Sequence, residues 1–284
     1  MPRPPVPGRH PPPPHDIPPT LRTRYLLHHK GPSCQGCVEV ANPDRTRPLP
    51  HPAEPTRLLK GWLEWLKVGR AVLLGHTRQE IVDVCRRLTA AGLVVGTAGN
   101  VSARDGELVA VTPSGLDYAK LSAELVGVHR LDGTPVEAPL RPTSELPMHL
   151  AVYASTDADA VVHTHSVAAT AVSTLVDELP PIHYYVGMFG APVAVAPYAT
   201  YGSRDLAQHV VKALRGRTGC LLANHGAVTI GPDLAVAYDR TCQLEWLCEV
   251  YLRASAVGQP RLLPAAEIAW AAEKLADYGQ RRPQ

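Results

Sequence analysis

The chain has 284 residues and a net charge of +2, enough length for a large core and too little charge to argue for a nucleic-acid partner. No apolar run approaches the roughly 18 residues that span a bilayer, and no charged start leads into an apolar stretch and a cleavage site. Six cysteines is ordinary usage; Cys85, Cys220, Cys242 and Cys248 lie in apolar-patterned segments as small hydrophobes, which suits a soluble cytoplasmic protein.

More than half of the 29 prolines lie before residue 56, including the run Pro11 to Pro14. Such a stretch buries too little apolar surface to offset ordering, so residues 1–55 are expected as a disordered Pro-rich arm. Cys34 and Cys37 form one CxxC there, near His28 and His29. A zinc knuckle or redox pair is one reading; without a second pair at finger spacing, two thiols in a flexible arm is the simpler one. Residues 56–76 predict an amphipathic linker helix. Leu58, Leu59, Trp62, Leu63, Leu66 and Val68 recur at helical spacing, with Lys60, Lys67 and Arg70 among them. It can pack on its own domain, on a neighbouring subunit or on a membrane surface. A start codon assigned too far upstream, with Val68 or Val72 as alternative starts, is a further account of this region.

From Thr77 the punctuation becomes regular. Thr77 and Glu80 form a capping box, and Ile81, Val84, Cys85, Leu88 and Ala91 make a helical stripe ending at Gly92. GELVAVTP reads as a strand, PTSELPMHLAVYA as a helix with proline in its first turn, AVVHTH as a strand and VAATAVSTL as a helix. PVAVA is a strand, and Ser203 caps a helix that stops at Gly216. GCLLAN and GAVTIG are strands around a turn at His225; Pro232 opens a long helix through Val257, and AAEIAWAAEKLADYG is the last. Strands interleaved with helices imply an α/β layered domain, and the short hairpin-like strands argue against a purely parallel doubly wound sheet.

Within this pattern, four residues can hold one metal ion. Alternate residues of a strand face the same way, so His163 and His165 leave AVVHTHS side by side. His225 sits in the Gly-flanked turn of LLANHGAV, and Glu145 at the helix start of PTSELPMH. A lone histidine is usually structural, but three imidazoles make a zinc site, and a carboxylate that can leave the fourth position can carry a proton. His149, one helical turn after Glu145, reads as an orienting or structural residue rather than a fourth histidine ligand. His129, His183 and His209 have no comparable company.

Three turns offer free backbone N–H groups and small hydroxyls to an anion: GTAGNVSAR at 96–104, TPSG at 112–115 and PTSE at 142–145. Asn100, Ser114, Gly115, Thr143 and Ser144 are apt phosphate contacts, with Arg104 as a helper. Each turn alone is ordinary loop chemistry, and none matches the P-loop or dinucleotide fingerprint. Their conjunction with the metal set is what points to a phosphate.

Residues 77–281 resemble the class II aldolase family, collinearly through GTAGNVSAR, TPSG, PTSE, VVHTHS, PPIHYY, APYATYG, LLANHG and the final YG. The resemblance implies a three-layer α/β/α domain with a mixed, mainly antiparallel sheet. It implies one zinc per subunit on His163, His165 and His225, with Glu145 completing the coordination and acting as acid and base. It implies a phosphate pocket at Asn100, Ser114, Gly115, Thr143 and Ser144. Tyr184, supplied by an adjacent subunit of a homotetramer, would serve the leaving carbonyl oxygen, and the closing Tyr278 would also reach the site. The chemistry fits independently: cleaving a carbon–carbon bond beside a ketone leaves an enediolate, which calls for a Lewis acid, a base for the hydroxyl proton and an acid for the carbon.

Within the family, TSE at 143–145 resembles the aldolase branch, where the epimerase branch has Asp in place of Glu, and PPIHYY resembles that branch too. The adducin head lacks the zinc histidines present here, which argues against a non-catalytic scaffold. The expectation is therefore a lyase of the L-fuculose-phosphate aldolase type, releasing dihydroxyacetone phosphate and a small aldehyde such as lactaldehyde. Sugar-phosphate dehydratases, decarboxylases and 4-epimerases are the rivals. Tyr201 stands where fuculose-phosphate aldolase has Phe; with Tyr185 and Met188 it can tune the aldehyde pocket.

Overall fold

A computed structural model describes residues 72–190 and 192–276. The Pro-rich arm, the CxxC, residues 56–71 of the linker helix and Tyr278 lie outside the described residues. The first helix, α1, runs Gly75–Ala90. It begins earlier than the capping box implied: Leu74 is the N-cap, in the left-handed region at φ 54°, with no side-chain cap bond, so Thr77 lies inside the helix. Leu73 and Leu74 pack against the core beneath α1, and that burial sets the start in place of the box.

Nine strands follow in one sheet: β1 Asn100–Asp105, β2 Leu108–Val111, β3 Gly127–Arg130, β4 Pro135–Glu137, β5 Ala160–Thr164, β6 Glu178–Leu179, β7 Val193–Ala196, β8 Gly219–Leu222 and β9 Gly226–Gly231. Their order is β4-β3-β2-β1-β5-β9-β8-β7-β6. Every pairing is antiparallel except β7 with β8, which is parallel. The expected mixed, mainly antiparallel sheet is thus present. The remaining helices among the described residues are α2 Leu146–Ser155, α3 Val167–Ser173, α4 Arg204–Ala213, α5 Leu234–Val257 and α6 Ala265–Ala276, with short 3-10 helices at Tyr118–Lys120 and Ala123–Leu125 and a longer one at Tyr184–Phe189.

Strand alternation distributes the core. Val161 on β5 joins α2 and α4 residues such as Val152, Leu206 and Val210 on one face. Its neighbours Ala160 and Val162 join α1 and the start of α5 on the other. Further along the sheet, α3, the 3-10 helix and Leu244, Leu247 and Cys248 of α5 cover Leu221 and Ala227. Helices on both faces give the three layers, and β5 and β9 are buried along their whole length. Cys85, Cys220 and Cys248 are buried and Cys242 half-buried; burial pushes the Cys220 thiol up to about 12, so it is inert packing.

Candidate active site

The site forms where the end of β5 meets the starts of β1 and β9. In register, Asn100 at the start of β1 is the Cα partner of His163 near the end of β5. Thr164, the last residue of β5, pairs with Ala227 at the start of β9. His225 sits in the turn before β9, after Asn224 in the left-handed region at φ 56°. Two glycines let these chains close up. A Cβ on Gly226 would overlap the Thr164 carbonyl, and one on Gly99, at φ +92°, would lie 2.8 Å from the His163 carbonyl oxygen.

The three imidazoles converge. Ring centroids are 4.8 Å apart for His163 and His165, 4.9 Å for His163 and His225, and 4.6 Å for His165 and His225. Glu145, the N-cap of α2, completes the group, and the four ligand atoms lie within 4.8 Å of one another. His163 Nδ1 donates to the Ala227 carbonyl at 2.9 Å, which turns Nε2 toward the centre. That Nε2 lies 2.9 Å from His165 Nε2 and 3.0 Å from Glu145 Oε2.

Glu145 is held asymmetrically. Asn100 Nδ2 donates to Oε2 at 2.9 Å, while Oε1 is buried, has no hydrogen-bond partner and faces His225 Nε2 at 3.6 Å. The Thr143 hydroxyl accepts from the Glu145 backbone N–H at 3.2 Å and fixes the approach to the helix. Burial pushes the Glu145 carboxyl up, yet the His163 charge and the hydrogen bonds from His163 and Asn100 outweigh it and hold the group well below the usual carboxylate range. Burial, reinforced by repulsion among the rings, pushes His165 and His225 down to about 4. Three imidazoles, a carboxylate and one orphaned buried oxygen around a common point fit a divalent metal of the zinc class.

A cavity of about 250 Å³ opens beside this cluster, lined by Glu145, His165, Tyr201 and all five expected phosphate contacts. Asn100 and Thr143 are buried in its wall; Ser114, Gly115 and Ser144 are exposed on its rim. Its two hydroxyl-bearing turns are tied together by Ser114 N–H donating to the Arg141 carbonyl and Thr143 N–H to the Thr112 carbonyl, each at 3.0 Å. Arg104 is not among the lining residues. Its Nε donates to Asp159 Oδ1 at 2.9 Å and its guanidinium lies 5.6 Å over the Tyr153 ring. A phosphate role for Arg104, entertained from sequence, has no support here.

Tyr184 is not brought to this cavity. It is exposed, stacks on His183 with ring centroids 4.3 Å apart, and lies with Tyr185 and Trp246 in a separate aromatic group. His183 caps the 3-10 helix by accepting from Tyr185 N–H. His209 bonds the Pro197 carbonyl, and His129 is buried in β3; neither approaches the cluster.

Sequence reading left two supports unassigned. Glu245 of α5 accepts from the Ala168 and Ala169 N–H groups, each at 2.8 Å, and so anchors the start of α3 just after His165. No local motif announces it, because the partners lie over seventy residues apart. Ser102 is the other. Its hydroxyl meets His149 Nδ1 at 2.6 Å and the Tyr153 hydroxyl at 2.7 Å. Here a signal existed: alternate residues 100 and 102 of a strand opposite helix positions 145, 149 and 153.

Comparison with known proteins follows the same residues. The family model described as "Class II Aldolase and Adducin N-terminal domain" matches residues 79–252. A 5-deoxy-D-ribulose 1-phosphate aldolase of Bacillus thuringiensis is 37% identical over 213 residues, covering 74% of this chain and 100% of that protein. An L-fuculose phosphate aldolase of Escherichia coli is 40% identical over 206 residues, covering 72% of this chain and 95% of its own. A solved L-fuculose 1-phosphate aldolase superposes with a TM-score of 0.69 at 36% identity, covering 71% of this chain and 96% of the other. No helix among the described residues is long and apolar enough to cross a membrane. The chain belongs to the class II aldolase family.

Proposed function

We propose that the chain is a zinc-dependent lyase that reversibly cleaves a ketose 1-phosphate of the L-fuculose 1-phosphate type into dihydroxyacetone phosphate and a small aldehyde such as lactaldehyde. The observation that carries this reading is Glu145 Oε1: a buried, unpartnered carboxylate oxygen set between three histidines and a hydroxyl-lined cavity. The relatives named above support the ketose 1-phosphate half. Fuculose 1-phosphate and 5-deoxyribulose 1-phosphate share carbons one to three and differ only beyond the bond an aldolase breaks.

His163, His165 and His225 would hold one zinc per subunit, with Glu145 as the fourth ligand at rest. When bound there it supplies a Lewis acid for charge developing on the ketose oxygens. Asn100, Ser114, Gly115, Thr143 and Ser144 bind the phosphate and fix the substrate, away from the reacting bond, relative to Glu145. Glu145 Oε1 takes the proton of the hydroxyl on the bond being broken and returns one to the carbon left behind. Tyr184, from a neighbouring subunit of a homotetramer, donates a hydrogen bond to that same hydroxyl oxygen as it becomes the aldehyde's. Its place outside its own chain's cavity supports that assignment. Tyr201 and the closing Tyr278 shape the aldehyde side, and we assign the enzyme to the cytoplasm.

The test is a screen of C5 and C6 sugar 1-phosphates with metal added and chelated, with products identified by mass and NMR. Dihydroxyacetone phosphate and an aldehyde are expected. Dehydrated, decarboxylated or epimerised products would assign one of the rival reactions instead.

A further inference from the structure

Behind Glu145 runs a buried chain of polar side chains whose direction can be worked out group by group. On β1, Asn100 and Ser102 face α2, which presents Glu145, His149 and Tyr153 at successive turns. Glu145 Oε2 only accepts, so the Asn100 atom 2.9 Å from it must be the amide nitrogen. Asn100 Oδ1 then points at His149 Nε2, at 2.5 Å, and a carbonyl only accepts, so Nε2 carries the proton. In the neutral ring that leaves His149 Nδ1 bare, and it accepts from the Ser102 hydroxyl at 2.6 Å. Ser102 in turn accepts from the Tyr153 hydroxyl at 2.7 Å. Every group is satisfied in one direction. Turning the Asn100 amide over would set its carbonyl against the carboxylate and its N–H against the protonated His149 Nε2.

We propose that His149 and Ser102 are positioning residues, which hold the Asn100 side chain with its N–H toward Glu145 Oε2 and so leave Oε1 as the oxygen that exchanges protons. His149 is fully buried and belongs to no ligand set, which a core histidine needs a reason to be. The chain supplies that reason: one imidazole with two different ring nitrogens joins a hydroxyl donor to a carbonyl acceptor. No single aliphatic or amide side chain at 149 bridges both. The proton role of Oε1 rests on the aldolase reading, but the orientation of Asn100 does not.

The first test is the His149 tautomer in the full-length chain labelled with ¹⁵N in its histidine rings, the signal being assigned by its loss in His149→Gln. A proton on Nε2 alone is expected, with zinc bound or removed. A proton on Nδ1 alone, or on both nitrogens near pH 7, overturns the proposal. The second test compares His149→Gln with His149→Asn in the zinc-loaded enzyme. The glutamine amide reaches the place of Nε2 and can still donate to Asn100; the asparagine amide reaches only the place of Nδ1. His149→Asn is expected to lower kcat about 10- to 100-fold with KM little changed, and His149→Gln to recover most of it. Equal rates in the two variants overturn the proposal; should neither variant fold, the tautomer decides alone. A wild-type enzyme that cleaves no sugar phosphate but shows the Nε2–H tautomer removes the aldolase reading and leaves the positioning role standing.

Discussion

Asn100 and His163 are register partners on adjacent antiparallel strands, and both side chains reach the same oxygen of Glu145, Asn100 Nδ2 at 2.9 Å and His163 Nε2 at 3.0 Å. One cross-strand pair thus links the expected phosphate wall to the expected metal group. The carboxylate it grips keeps a second oxygen uncommitted.

Glu145→Gln removes the ionisable oxygen but keeps the shape of the side chain. The protein is expected to fold, with a far-ultraviolet spectrum matching wild type, and the three histidines are expected to retain zinc. Turnover is expected to fall by about 10²- to 10⁴-fold, the usual contribution of a general acid–base group. Steady-state kinetics on a cleaved ketose 1-phosphate checks this, and wild-type turnover would remove Glu145 from the proton chemistry.

Gly226→Ala places a methyl group against the Thr164 carbonyl at the seam between β5 and β9. The backbone must shift there, beside His225. A loss of about 1–3 kcal/mol in urea unfolding is expected, with weaker zinc retention because the ligand turn moves with the strand. A variant as stable as wild type would mean the seam is looser than the structure has it.

Acid is expected to destabilise the metal-free protein in a defined window. His165 and His225 are pushed down to about 4 by burial, and His149 to about 3, from an ordinary value near 6.5. Above 6.5 both folded and unfolded chains carry these rings neutral, so they contribute no pH dependence. Between 6.5 and 4 the unfolded chain binds protons that the folded one refuses, so stability falls as pH falls. The urea midpoint of the metal-free protein should decline steadily across that range, and added zinc, which binds the neutral rings of the folded chain, should raise the midpoint at each pH. A midpoint flat from pH 7 to 5 would contradict the burial assigned to these histidines.

If Tyr184 acts across a subunit boundary, two inactive variants can complement one another. Tyr184→Phe and Glu145→Gln are each expected to lose activity with zinc retained. Co-refolded as mixed oligomers, they should regain a measurable fraction, because some sites then pair an intact Glu145 with an intact Tyr184. No recovery in demonstrably mixed oligomers would place both residues in the same subunit's site.

Much of this was legible before the structure because the decisive signals are local. The two-residue step from His163 to His165 and the single helical turn from Glu145 to His149 translate directly into faces of one strand and one helix. The turns holding Ser114 and Thr143 announced themselves by composition, and the structure ties them together. What stayed hidden depends on distant partners. Glu245 caps α3 from another helix, and Ser102 looks like loop serine until β1 is laid on α2. Tyr184 lies apart from its own chain's cavity, whose lining comes from other turns. The capping box at Thr77 failed for the opposite reason: a correct local motif was overridden by the packing of Leu73 and Leu74.

The central claim is that zinc held by His163, His165 and His225 and a proton carried by Glu145 cleave a ketose 1-phosphate. It is tested most directly by dihydroxyacetone phosphate release from L-fuculose 1-phosphate and 5-deoxyribulose 1-phosphate, followed by a coupled reductase assay alongside zinc content per chain. Expected are release by the zinc-loaded protein at about one zinc per chain, its loss on chelation and recovery on zinc addition, and neither release nor zinc retention in His163→Ala. Full zinc occupancy with no dihydroxyacetone phosphate from either sugar, or release unaffected by chelation and by His163→Ala, would contradict it.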